Sequence, residues 1–134
     1  MLDEMILSAL SDADVDGLVD APPSVPLPAQ VRIVRGAVTR AQVAGLQLPR
    51  EVIFRWRDGR PEQPTGACVT FEDGTHALYL SVNQQPEELA RVALHELQHL
   101  ADRQGDPSLS DLERERRAIR FANRVMNAAG AWWA

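Results

Sequence analysis

The chain is poor in histidine, cysteine, tyrosine and lysine, and each shortage narrows its chemistry. A single cysteine, Cys68, excludes an intramolecular disulfide framework and any zinc site built from several thiolates. Lysine is absent and all 14 basic residues are arginine, which excludes a Walker-type phosphate loop and Schiff-base catalysis. Tyr79 is the only tyrosine, and the three histidines are His76, His95 and His99. No apolar run approaches the length of a membrane span. The amino terminus is acidic where a secretory leader would be basic, so the expected location is the cytoplasm.

What is present fits one core. The 134 residues, 45% of them hydrophobic, suit one domain and are too few for two full-sized ones. The net charge of −5 is unevenly spread: residues 1–30 hold six acids and no arginine, leaving a near-neutral remainder. An acidic tail on a neutral body speaks against a general nucleic-acid binder, which needs a broad basic face.

Residues 3–10 have helical spacing of apolar positions, and an aspartate-rich run follows. APPSVPLPAQ at 21–30 holds four of the nine prolines and reads as an extended linker. The expected organisation is therefore an acidic helix and linker over 1–30 and a folded domain over 31–134. Residues 29–44 favour a helix ended near Gly45. EVIFRW at 51–56 alternates as a strand does. ACVTFE and HALYLSV flank Asp73-Gly74, a hairpin turn signal. Residues 86–104 form a helix with Pro86, Glu87 and Glu88 in its first turn. A second helix follows Ser110, which makes a capping box with Glu113, and runs to about Ala128. The elements predict an α+β fold: a small, mainly antiparallel sheet packed on the 86–104 helix and a C-terminal helix.

The 86–104 helix carries His95-Glu96-Leu97-Gln98-His99. Residues four apart share a helix face, so both imidazoles point to one place, a spacing that suits one zinc ion. Glu96 is offset around the helix, where its carboxylate can act as general base toward a water on the metal. By chance this pattern arises in roughly one chain in 200 of this composition. A catalytic zinc needs a third protein ligand and an open position. Glu115 is preferred, because it aligns with an apolar stripe of Leu112, Ala118, Ile119 and Ala122, and an inward carboxylate needs a partner. Glu113, Asp106 and His76 remain alternatives. Asp102, three residues after His99, suits a supporting bond to a histidine. Tyr79, His76 and the arginines of the C-terminal helix are candidates to support the transition state. HALYLSV can accept a substrate strand if it is a sheet edge.

The segment RVALHELQHLADRQ, preceded by a hairpin and followed by ERERRAIRFANRVM, resembles the zincin metallopeptidases of the glutamate-ligand branch, and among them the small ImmA/IrrE-type peptidase domains. Asn83 before the helix, and Glu115, Ala118, Phe121 and Ala122 in the later helix, match that pattern over about residues 50–126. The glutamate that commonly stands just before that alanine is Arg117 here. The resemblance implies a zincin-like fold and a zinc-dependent peptidase acting on a peptide or protein substrate. A non-catalytic or regulatory binding module of the same fold, and a zinc hydrolase of a non-peptide substrate, are the other readings.

Asp12, Asp14, Asp16 and Asp20 fit the first nine positions of a calcium loop with Gly17 at its turn position, but Pro23 stands where a bidentate glutamate belongs. Such a loop binds Ca2+ weakly at best, and a solvated acidic tail is the plainer reading. Arg114, Arg116, Arg117, Arg120 and Arg124 read as a solvated face. Trp132 and Trp133 are expected to cover the core, and Cys68 to be buried and inert.

Overall fold

The structure is a computed structural model, and it describes residues 17–105, 108–128 and 130–134. Helix α1 (Pro28–Val43) is followed by strands β1 (Ile53–Arg57), β2 (Gly66–Thr70) and β3 (His76–Ser81), then helices α2 (Pro86–Gly105) and α3 (Asp111–Ala128). The fold is α+β. The candidate helix over 3–10, the calcium-loop residues Asp12, Asp14 and Asp16, and Asp106 lie outside the described residues. Asp20 is exposed.

Local chemistry accounts for the element ends. Pro28 opens α1, where its missing N–H is no loss. Gln30 reaches back to accept from the Leu27 N–H at 2.9 Å and donates to the Val82 carbonyl at 2.9 Å, tying α1 to the end of β3. Gly45, at φ 93°, closes α1: its N–H bonds to Gln42 and that of Leu46 to Ala41. Gly74, at φ 86°, makes the β2–β3 turn, and Asp73 Oδ1 accepts from the Thr75 N–H at 3.0 Å. At α3, Ser110 Oγ accepts from the Glu113 N–H at 3.2 Å and Glu113 accepts from the Ser110 N–H at 3.1 Å, the expected reciprocal cap.

The sheet differs from the expected one. Its order is β1-β3-β2, with β2 antiparallel to β3 and β1 parallel to it, so it is mixed. A local hairpin dictates the first pairing; the second joins distant segments, and strand periodicity carries no information about it. Because β3 is hydrogen-bonded on both sides, HALYLSV is the central strand and offers no edge to a substrate.

All three helices lie over one face. Leu78, Leu80 and Cys68 point into a core with Ile33, Val34, Leu89, Leu94, Leu97, Leu100, Phe121 and Met126. Trp132 and Trp133 pack against this core, and Arg40 stacks on the Trp132 ring at 5.0 Å. On the other face Ala67, Val69, Ala77 and Tyr79 pack with Leu18, which is fully buried. The proline-rich segment is extended up to Leu27 and lies along β1: Pro23 bridges Arg57, and the Ser24 N–H donates to the Trp56 carbonyl at 3.1 Å. Among the described residues, no helix is long and apolar enough to cross a membrane.

Candidate metal centre

Helix α2 packs on β2 and β3 through Leu89, Ala93, Leu97 and Leu100, which turns His95 and His99 toward α3. The two Nε2 atoms lie 3.1 Å apart. Helix α3 supplies Glu115, with Oε1 at 2.7 Å from His95 Nε2 and Oε2 at 3.3 Å from His99 Nε2. His99 is fully buried, and the His95 and Glu115 side chains are 19% and 15% exposed, so the cluster is shielded with one open side. One donor atom from each residue lies within 4.8 Å of the others, and among the described residues this is the group able to hold a metal ion.

The donor chemistry fits such an ion. Metal–ligand bonds of 2.0–2.1 Å in tetrahedral arrangement place donors about 3.3 Å apart, close to the separations found here. Three lone-pair donors facing one point need a positive charge between them or on them. Burial lowers the His95 pKa, but the hydrogen bond to Glu115 and the nearby carboxylates outweigh it and the net shift is upward. Burial likewise raises Glu115, yet its bonds to His95 and His99 bring it down to about 2. Both shifts describe the same His95–Glu115 contact. His99 Nδ1 is buried with no hydrogen-bond partner among the described residues, so the acceptor that often orients a ligating imidazole is not supplied there.

Glu96 sits beside the cluster, 3% exposed, with Oε1 unpartnered. Burial pushes its carboxyl pKa up, opposed by His99 and His95. Its flank is formed by β2. A Cβ at Gly66 would collide with Val92 Cγ1 and lie 3.3 Å from Glu96 Cγ, so only glycine lets the strand approach the helix this closely. This contact escaped the sequence reading, in which Gly66 stands just before the ACVTFE strand.

The remaining predicted residues are elsewhere. Asp102 bonds to no histidine: it accepts from Gln98 Nε2 at 2.9 Å and from Arg117 Nε at 3.2 and 3.1 Å. The strong charge of Arg117 wins a buried carboxylate over a neutral imidazole. Tyr79 faces the opposite side of the sheet from α2, in contact with Leu18 and with Arg57 over its ring at 5.0 Å, because the alternation of β3 sends Leu78 and Leu80 toward the helices. His76 bonds through Nδ1 to Thr70 Oγ1 at 3.0 Å and lines a separate cavity of about 360 Å3 with Arg50, Glu51, Asp73 and Gln104. Glu113 is taken up by its cap. Asn83 ties the loop after β3 to Asp58 and Gly59. Leu112 and Ile119 are 59% and 47% exposed, so the buried stripe of α3 is Ala118, Phe121, Ala122, Val125 and Met126; Glu115 still lies on its line, three residues before Ala118.

Compared with known proteins, the chain matches no family model, no curated protein and no solved structure. The site therefore stands on its own geometry. An apolar groove of about 540 Å3 between α1 and β1, lined by Val34, Val38, Phe54 and Trp56, shares no residue with it.

Proposed function

We propose that the chain is a zinc-dependent metallopeptidase with a zincin-like fold. The observation that carries this reading is the meeting of His95, His99 and the α3 carboxylate Glu115, with Glu96 buried alongside. Two imidazoles and one carboxylate are a donor set that zinc favours, and three protein ligands leave a fourth position open, as catalytic rather than structural sites do. When bound there, zinc supplies Lewis acidity, polarising a substrate carbonyl and acidifying a water.

The protein's own contribution is orientation and proton handling. His95 and His99 are held one turn apart by α2, and Glu115 closes the set from α3. Glu96 takes the proton as the water attacks the peptide carbonyl and returns it to the departing amine. A carboxyl whose pKa is raised by burial is suited to both halves of that exchange. His99 and Glu96 are themselves buried, so the inner side of the cluster is closed to bulk water.

The test combines metal content with turnover. Purified wild type is expected to carry zinc and to cleave members of a peptide library, with cleavage lost on adding a chelator. Glu115→Ala is expected to carry much less zinc. Equal zinc in both proteins rejects the ligand assignment, and zinc without any cleavage makes the chain a metal-binding module instead.

A further inference from the structure

The three ligands come from two helices, and only Glu115 crosses between them. His95 and His99 keep their separation as long as α2 is helical, but the reach of Glu115 depends on where α3 stands. Phe121, Ala122, Val125 and Met126 bury α3 beyond residue 120, but in the turns around Glu115 its buried apolar contact is Ala118. A side chain that small does not by itself specify the rotation of this end of the helix against its neighbour.

A second polar contact joins the same helices one turn beyond His99. Asp102 is 4% exposed, and its carboxylate accepts from both Nε and Nη2 of Arg117, with Nη2 at 3.0 Å from Oδ1. Gln98, also buried, holds Asp102 from its own helix at 2.9 Å. A carboxylate this deep is strongly unfavourable without its cation, so Arg117 must be brought to it. The guanidinium fork accepts only a narrow range of directions. Residues 115 and 117 lie about 200° apart around a helix, so Glu115 and Arg117 reach α2 from opposite flanks of α3. Turning α3 either way withdraws one of them. Arg91 also donates to Asn123 across this interface, but at the exposed rim, where a contact constrains little.

We propose that Asp102 and Arg117 are positioning residues, whose buried ion pair sets the rotation of α3 and so brings the Glu115 carboxylate to His95 and His99. This rests on the reading of those three side chains as metal ligands. Neither Asp102 nor Arg117 touches the ion or the substrate; the pair acts through Glu115.

The experiment measures Zn2+ affinity by competition with a chromophoric chelator, and the visible spectrum of the Co2+-loaded protein, for wild type, Arg117→Ala, Arg117→Lys, Asp102→Asn, Glu115→Ala and Val125→Ala. Outer partners of metal ligands are commonly worth about 10–100-fold in affinity, and a loss of that size is expected for Arg117→Ala and Asp102→Asn, with a Co2+ spectrum shifted toward that of Glu115→Ala. Arg117→Lys, which keeps the charge but not the fork, should recover part of both. Val125→Ala, which weakens α3 packing without touching the clamp, should lower stability and leave the affinity and spectrum as in wild type. Unchanged affinity and spectrum in folded Arg117→Ala overturn the proposal, as does an equal loss in Val125→Ala. If Arg117→Ala does not fold, Arg117→Lys and Asp102→Asn decide by the same readings. Wild type that binds neither ion, or Glu115→Ala that binds as wild type does, removes the metal reading and the clamp with it. A Glu115-dependent site indifferent to Arg117 removes the clamp alone.

Discussion

Glu96 and Cys68 are both buried acids, and their surroundings give them different fates. Glu96 has an unpartnered oxygen beside the histidine cluster, a lone pair free to take a proton there. Glu96→Gln preserves shape and hydrogen-bonding capacity but cannot accept a proton. It is expected to keep the wild-type zinc content and lose about 10²–10⁴-fold in peptide hydrolysis; a zinc-loaded variant with full activity would sink the mechanism. Cys68, by contrast, is pushed up to about 12 by burial, with Arg103 opposing and Glu96 adding to the shift. Folded protein should therefore resist thiol reagents at pH 8 and react only at the rate at which it opens. The linkage has a definite sign. The folded-state pKa lies above the ordinary value of 9.0, so this contribution to stability is whole below about pH 9 and is lost as pH rises toward 12. Urea midpoints taken from pH 8 to 11 should fall, and should fall less in Cys68→Ala.

Among the elements, the contact between β2 and α2 controls how near the sheet stands to the proposed proton carrier. Gly66 leaves no room for a methyl group beneath Val92. Gly66→Ala forces the helix or the strand to move, and a cost of about 1–3 kcal/mol is expected from overpacking, measured as a drop in the urea midpoint. If stability is unchanged, Val92 yields freely and the contact sets nothing. Further along the same pair, Arg103 donates to the Cys68 carbonyl at 3.0 Å and to Thr70 Oγ1 at 2.6 Å, so the C-terminal part of α2 is tied to β2 by hydrogen bonds as well as by packing.

Across the whole molecule, the sheet is covered on two sides, and the second cover begins before the proline-rich segment. Leu18 is fully buried on the face of the sheet opposite the helices. Gln63 also donates to the Gly17 carbonyl at 3.1 Å, and Arg57 Nε to the Val19 carbonyl at 3.1 Å. Leu18→Ala is thus expected to cost about 2–5 kcal/mol, the range for buried leucine truncations. Thermal or denaturant unfolding checks this: a change near zero would show that residues 17–19 contribute nothing to the folded body.

The amino-acid order alone determined whatever depends on a few neighbouring residues. The capped helix at Ser110, the Asp73-Gly74 hairpin, the end of α1 at Gly45 and the shared face of His95 and His99 all follow from backbone geometry over one turn or less. Glu115 was within reach of the same reasoning, since a carboxylate on the line of Ala118 and Ala122 needs a partner, even though Leu112 and Ile119 of that stripe turned out to be exposed. Tertiary structure decided what depends on competition between distant partners. The place of β3 at the centre of a mixed sheet, the turning of Tyr79 away from the histidines and the hold of His76 on Thr70 all depend on which surfaces become buried together. Asp102 shows the reason most clearly. Its position on α2 put it within reach of a histidine-supporting role, but a buried carboxylate takes the strongest donor the fold brings to it, and the packing of α3 brought Arg117.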